Sequence, residues 1–490
     1  MINTVYELIT DVMAKQYPDR VAFRYVAADG KTVVEKTYAQ YVQDIRRAVT
    51  YFKENIPDIK GKRVGIMSRN CYEYGVNSFG AILAGAVVVT INQKKTWPEL
   101  EYELGLVEPS LIVNDGIDYG CRPDIEAAYG DKLRPMDAFK DSAPAELVDC
   151  VGHDDLIVLM FTSGTTGRSK GVMLSEKNYF TACQMYIDGL KSVLDYEERL
   201  VPQYLDQTFS HFTLVPMFHL AGFICYFVYG IQGWTLNLCC DARDLRRDMS
   251  LMHSDAMSTP PVLVEMICNE VKRGHADRLN GLWNLSCSSA ILDPAILSDL
   301  VKNGFYINQC YSMTELAGYG LLNVTQEGDH LRALGKPDGF SEVKVDETGE
   351  ICVRGGCVML GYYKDPEATA ETIDKDGWLH TGDLARVDEE GYYYMTGRKK
   401  NLIILDSGEN VSPEELEKLL GKCDAIKECI VKEMGKKIGT VVCCEDDKQQ
   451  QVKAFVTELN RTLPMYKRIS VVECSAEPLP RNALGKLLRK

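Results

Sequence analysis

The sequence predicts an α/β protein: a large N-terminal domain of βα sheets with a β-rich subdomain, and a small C-terminal α/β domain joined by a hinge. Three observations lead there. Helix and strand patterns alternate from Val5 to about Tyr311, at a spacing that implies βα units and largely parallel sheets buried on both faces. Near Gly335 the texture changes to short strands broken by Gly, Asp and Pro. At 490 residues the chain exceeds what one compact core holds. The expected boundaries are 1–397, with the β-rich subdomain at about 330–396, and 398–490.

Taken in order, Val5–Gln16 has an amphipathic helix pattern, and Val21–Val26 reads as a strand. Thr37 and Gln40 have capping-box spacing and open a helix towards Phe52. Strand Arg63–Met67, helix Tyr72–Leu83, strand Ala86–Ile91, helix Trp97–Leu106 and strand Leu111–Val113 follow. Apolar runs Leu156–Phe161 and Val172–Leu174 flank a polar loop. Beyond it come strand Phe212–Pro216, an apolar helix Met217–Gly230, strand Trp234–Cys240 and helix Asp244–His253. Helix Pro261–Val271, strand Leu282–Ser286, helix Pro294–Lys302 and strand Tyr306–Tyr311 complete the alternation. Val343–Val345, Glu350–Arg354 and Tyr392–Met395 are the short strands. Gly397–Asn401 reads as a linker, and Ser412-Pro413-Glu414-Glu415 as a helix start.

Net charge is −15, from 55 basic and 70 acidic residues, which argues against a general nucleic-acid binder. Seventeen cysteines carry no C-x-x-C or His-paired spacing, so no zinc site is expected and they read as small buried hydrophobes. No secretory signal opens the chain, and the longest apolar stretch, Leu220–Ile231, is too short to span a bilayer. A reduced, cytoplasmic setting is expected.

The polar loop runs Phe161-Thr162-Ser163-Gly164-Thr165-Thr166-Gly167-Arg168-Ser169-Lys170-Gly171. Glycines let backbone N–H groups converge, the hydroxyls of Thr162, Ser163, Thr165 and Thr166 add donors, and Arg168 and Lys170 supply charge. That suits triphosphate oxygens, although the Walker spacing is absent. The bland alternative is a polar hairpin loop.

Tyr311-Ser312-Met313-Thr314-Glu315 ends a strand, where open α/β sheets bind ligands. Glu315 is suited to Mg²⁺, Thr314 to an α-phosphate and Tyr311 to stacking on a base. A helix N-cap explains Thr314 and Glu315 equally well. Asp383 in Thr381-Gly382-Asp383 is suited to vicinal hydroxyls, although a turn aspartate is the ordinary explanation. His219, beside Phe218, is more often a packed histidine than a catalytic one.

In their order and separations these motifs resemble the adenylate-forming superfamily of acyl-CoA synthetases, adenylation domains and luciferases, over nearly the whole chain. Ser312 stands where the family has glycine, and Ser288-Ser289-Ala290 stands at its adenine-facing Gly-Gly-Ala turn. The resemblance implies that Gly164 and Gly167 belong to the phosphate loop, and that Ser289, Ala290 and Tyr311 face the adenine. It implies Asp383 and Arg398 as ribose ligands, Lys400 as the hinge, and Gly408 beside the pantetheine path. Lys486, in Pro480-Arg481-Asn482-Ala483-Leu484-Gly485-Lys486, matches the lysine that reaches the carboxylate and α-phosphate. The resemblance implies that the element holding His219 walls the acyl pocket. Amino-acid-activating members offer an aspartate where this chain has His219, so an α-amino acid substrate is disfavoured.

The implied function is ATP- and Mg²⁺-dependent activation of a fatty or aromatic carboxylic acid, through acyl-AMP, with transfer to coenzyme A. Transfer to a carrier protein's phosphopantetheine is the near alternative. A phosphotransferase, or a non-catalytic nucleotide-binding protein, is the alternative of another class.

Overall fold

The computed structural model describes residues 2–162, 168–196, 209–287, 292–326, 328–337, 339–404, 410–435, 437–481 and 487. The chain forms two compact units, one of residues 1–343 with 353–379, the other of 344–352 with 380–490.

The first unit holds two sheets. One orders its strands Lys336–Pro337, Gly318–Asn323, Tyr306–Met313, Asn284–Cys287, Ala256–Thr259, Ser210–Thr213, Thr235–Leu238, Val21–Val26 and Val33–Thr37. The other runs Gly361–Tyr362, Lys170–Ser175, Leu156–Thr162, Val87–Thr90, Arg63–Met67, Leu111–Asn114 and Leu133–Pro135. Their central pairs are parallel; antiparallel strands close both edges of the first sheet and one edge of the second, whose other edge strand, Leu133–Pro135, pairs in parallel. Parallel strands need covering on both faces, and the fully buried run Val87-Val88-Val89-Thr90 shows the result.

The helices form where the sequence marks them. The Thr37 hydroxyl accepts from Gln40 N–H and the Gln40 amide oxygen accepts from Thr37 N–H, starting a helix that runs Tyr38–Asn55. It packs on helix Tyr72–Leu83 so closely that a Cβ on Gly80 would sit 2.4 Å from Ala48 Cβ, which only glycine avoids. The apolar helix spans Leu220–Gln232 and is buried on nearly all sides. It begins three residues later than its hydropathy suggests. Pro216–His219 form a turn, with the His219 carbonyl accepting from Gly222 and Phe223 N–H. The N-terminal helix ends at Met13, its last six residues in a π-helical turn.

In the second unit, most of a four-stranded sheet orders Glu342–Val345, Glu350–Arg354, Leu379–Val387 and Tyr393–Arg398. Here one alternative is set aside and one expectation is corrected. Asp383 lies within a nine-residue strand rather than in a turn. Gly397 and Arg398 complete a strand, and only Lys399–Asn401 form a 3₁₀ turn, so the linker reading fails for its first two residues. Cross-strand pairing, which local composition does not reveal, extends both strands. Further on, Ser412 caps helix Pro413–Leu420, whose Leu416 and Leu420 pack with Val431, Ile438 and Val456. Among the described residues no helix is long and apolar enough to cross a membrane.

Candidate active site

In the first unit the polar loop joins two antiparallel strands, with Thr162 opposite Lys170 in register. Residues Ser163, Gly164, Thr165, Thr166 and Gly167 lie outside the described residues. A third strand, Gly361–Tyr362, pairs along the outer edge of Lys170–Ser175, with Tyr362 opposite Val172. That pairing places the Tyr362 ring under the Lys170 ammonium, 4.7 Å from its centroid. The Tyr362 hydroxyl donates to Glu315 Oε1 at 3.0 Å. Met359 N–H donates to the Glu315 carbonyl at 2.9 Å, so main chain and side chain tie Glu315 to the same segment. Burial, then the Glu315 charge, pushes the Tyr362 phenol far above its ordinary range, which keeps it a donor.

Thr314 and Glu315 do not cap a long helix. Thr314–Leu316 is a single 3₁₀ turn with Met313 at its N-cap, followed at once by strand Gly318–Asn323. Ala317, at φ +52°, reverses the chain there. The strand before it, Tyr306–Met313, ends in a register shift between the buried Tyr311 and the exposed Ser312. The four residues 288–291, which include Ser289 and Ala290, lie outside the described residues.

The loop's exit rests on helix Trp97–Val107. Lys95, just before it, forms an ion pair with the buried Glu103 and lies 3.5 Å from Ser169 Oγ. The Arg168 guanidinium lies 5.6 Å from the Tyr102 ring centroid. His219 is half-buried immediately before helix Leu220–Gln232, its ring 4.6 Å from that of Phe218. The approach to it is held by Asn70, which accepts from Met217 N–H and donates to the Val215 carbonyl, both at 3.0 Å. Thr90 Oγ1 donates to the Phe218 carbonyl at 3.1 Å.

A second cluster lies in the other unit. Asp383 and Arg398 are register partners on adjacent strands, and Arg398 Nε lies 3.0 Å from Asp383 Oδ1. Gly382 holds φ +73°, and its N–H donates to Glu350 Oε1 at 2.7 Å. Thr381 Oγ1 donates to the Ile351 carbonyl and accepts from Asp383 N–H. The buried Glu350 also accepts from Lys399 Nζ at 2.8 Å. Lys400 follows in the 3₁₀ turn; burial of its ammonium, then the like charge of Arg398, holds its pKa below the ordinary lysine range. Gly408 and Lys486 lie outside the described residues.

The structure therefore brings together Lys170 with Glu315, through Tyr362, and Asp383 with Arg398. Sequence reasoning missed Tyr362, Lys95, Glu103 and Glu350. Tyr362 sits in a run of ordinary appearance, Gly361-Tyr362-Tyr363, with no signal to distinguish it. Glu350 carried a weak signal, a carboxylate opening an otherwise apolar strand, Glu350-Ile351-Cys352-Val353.

A family model described as AMP-binding enzyme matches residues 11–363. The chain is 27% identical to 4-coumarate--CoA ligase 3 of Oryza sativa subsp. japonica, over 96% of this chain and 89% of that protein. It is 30% identical to a feruloyl-CoA synthase of Amycolatopsis sp, over 88% of each. Its fold matches the solved structure of O-succinylbenzoate coenzyme A synthetase from Bacillus subtilis in complex with AMP, with TM-score 0.81 and 23% identity, over 99% of this chain and 97% of that one. With the strand–loop–strand, the Tyr311–Glu315 strand end and the Asp383–Arg398 pair in place, the chain belongs to the AMP-binding enzyme family, the adenylate-forming superfamily that its motifs resemble.

Proposed function

We propose that this protein is an AMP-forming acid–thiol ligase acting on a carboxylic acid with an apolar or aromatic body. The substrate carboxylate oxygen bonds to the α-phosphorus of ATP, and the bond to the β-phosphate oxygen breaks to release pyrophosphate. The sulfur of coenzyme A then bonds to the acyl carbon, AMP leaves, and the thiol proton passes to solvent. The observation that carries the reading is the Lys170–Tyr362–Glu315 arrangement at the base of the phosphate loop. It joins a cation suited to phosphate oxygens with a carboxylate suited to a hard divalent ion.

Thr162, Ser163, Gly164, Thr165, Thr166, Gly167 and Lys170 cradle the β- and γ-phosphates, and Thr314 donates to the α-phosphate. Ser289, Ala290 and Tyr311 bound the adenine. Asp383 accepts from the ribose hydroxyls, its carboxylate oriented by Arg398. Glu315 would hold Mg²⁺, which when bound offsets phosphate charge. Lys486 stabilises the charge that develops between carboxylate and α-phosphate. His219 and Phe218 wall the acyl pocket. Residues 398–490 form the mobile body beyond an N-terminal AMP-binding domain of 1–397. Lys400 serves as the hinge, and Gly408 lies beside the thiol path. The setting is cytoplasmic.

The reading is tested by incubating the protein with ATP, Mg²⁺ and a panel of carboxylates, with coenzyme A, with a phosphopantetheinylated carrier protein, or with neither. AMP, pyrophosphate and an acyl-CoA thioester are the expected products. Thioester on the carrier alone would reassign the acceptor. ADP and orthophosphate as primary products would overturn the activity.

A further inference from the structure

We propose that Asp346, Cys352 and His380 form a binding site for one thiophilic divalent ion of the zinc class. All three lie in the second unit. Asp346 stands in the turn between strands Glu342–Val345 and Glu350–Arg354, Cys352 in the latter strand, and His380 in the neighbouring strand Leu379–Val387. One ligand-type atom from each lies within 4.8 Å of the other two.

The Cys352–His380 separation fits a metal. Zn–S at about 2.3 Å and Zn–N at about 2.0 Å, at the tetrahedral angle, put sulfur and nitrogen about 3.5 Å apart. Cys352 Sγ and His380 Nδ1 are 3.5 Å apart. Glu350 Oε2 lies 3.3 Å from the same nitrogen. A ring nitrogen has one in-plane direction, carrying either a proton or a lone pair. It serves the thiol or the carboxylate, not both at once. A cation held by the nitrogen and a deprotonated sulfur removes that conflict.

The scaffold is preset. Asp346 Oδ1 accepts from Thr348 N–H, Thr348 Oγ1 and Glu350 N–H, at 2.8, 2.7 and 2.9 Å, which fixes its carboxylate. Cys352 is fully buried, so a single thiol stays in place, and His380 is partly exposed, which opens a path for the ion. The sulfur and imidazole select zinc or cobalt over magnesium. Binding releases the thiol proton. Because the ligands come from a turn and two adjacent strands, no C-x-x-C spacing announces them.

The test uses the full chain, reduced, stripped with a chelator and freed of it, then titrated with Co²⁺ as the optical probe. One equivalent should produce a thiolate-to-cobalt charge-transfer band with tetrahedral d–d bands, and Zn²⁺ should abolish both, while excess Mg²⁺ should not. Cys352→Ser should lose the charge-transfer band. His380→Gln and Asp346→Asn should weaken binding by at least about 100-fold, beyond the 10–100-fold that loss of a supporting partner costs. Cys121→Ser, a control at a buried thiol of the first unit, should leave the titration unchanged. Absence of the band in the wild type overturns the proposal. So does a Co²⁺ titration midpoint unchanged in folded His380→Gln and Asp346→Asn, which keep the test decisive if Cys352→Ser does not fold.

Discussion

The Tyr362 hydroxyl donates a 3.0 Å hydrogen bond to Glu315 across 47 residues of sequence, while its ring carries the Lys170 ammonium at 4.7 Å. One side chain thus positions both charged groups proposed to meet the magnesium triphosphate. Tyr362→Phe keeps the ring and removes the donor. A hydrogen bond to a charged group contributes about 1.5–3 kcal/mol, so kcat/KM for carboxylate-dependent pyrophosphate exchange should fall roughly 10- to 100-fold with little change in Tm. An exchange rate equal to wild type would show that the bond does not position Glu315.

Glu315→Gln tests the metal-holding role. It retains one oxygen acceptor for Tyr362 and loses the charge. The Mg²⁺ concentration needed for half-maximal exchange should rise at least about tenfold, the scale of one charge-assisted contact. A collapse of Tm with unchanged activity per folded molecule would make Glu315 structural.

Phe218-His219 offers no carboxylate to an ammonium group, and leaving that charge unpaired against apolar walls is costly. Aliphatic or aromatic acids should therefore outcompete their α-amino analogues by at least about tenfold in kcat/KM. Preference for a free amino acid over its deaminated analogue contradicts the pocket assignment.

The two half-reactions should separate by mutation, because Lys486 and Gly408 lie at opposite ends of the C-terminal segment. Lys486→Ala should depress adenylate formation by about 3 kcal/mol, roughly 100-fold, and largely spare thioester formation from supplied acyl-AMP. Gly408→Leu should do the reverse. Lys400→Pro should slow the second step more than the first. Equal loss in both assays, in folded Lys486→Ala and Gly408→Leu, would show that residues 398–490 do not change pose about Lys400 between the two steps.

Stability should depend on pH through Glu176, which begins helix Glu176–Tyr196 and accepts from Val5 N–H at 2.9 Å through one oxygen. Its other oxygen is buried without a hydrogen-bond partner among the described residues. Burial raises the carboxyl from an ordinary 4.5 to about 7. The folded chain holds this proton where the unfolded chain has lost it, so stability falls as pH rises from 4.5 towards 7 and is level above. At roughly 1.4 kcal/mol per pKa unit the ceiling is about 3 kcal/mol. Denaturation midpoints measured from pH 5 to 8 should show wild type falling relative to Glu176→Gln as pH rises towards 7. Parallel profiles would assign the pH dependence to other groups.

Much of the fold was legible because its signals are local. Thr37 and Gln40 announce a helix start from residues three apart, and the apolar run Val87–Val89 announces a strand covered on both sides. The polar loop between apolar runs was legible for the same reason, as was the strand end at Tyr311–Glu315. That Asp383 lies in a strand was not legible, because the strand is held by pairing with Arg398, a partner set by register rather than by neighbours in sequence.

The sequence by itself determined the order of elements, the parallel sheets and the motifs that mark the family, since turn chemistry, capping and hydrophobic period act over a few residues. Only the tertiary structure decided that Tyr362 joins Glu315 to Lys170, that Glu350 holds Gly382 and Lys399, and that Asp346, Cys352 and His380 converge. Those contacts depend on which strands lie side by side and in what register. A one-residue slip turns every side chain of a strand to the opposite face, and no local pattern encodes that choice.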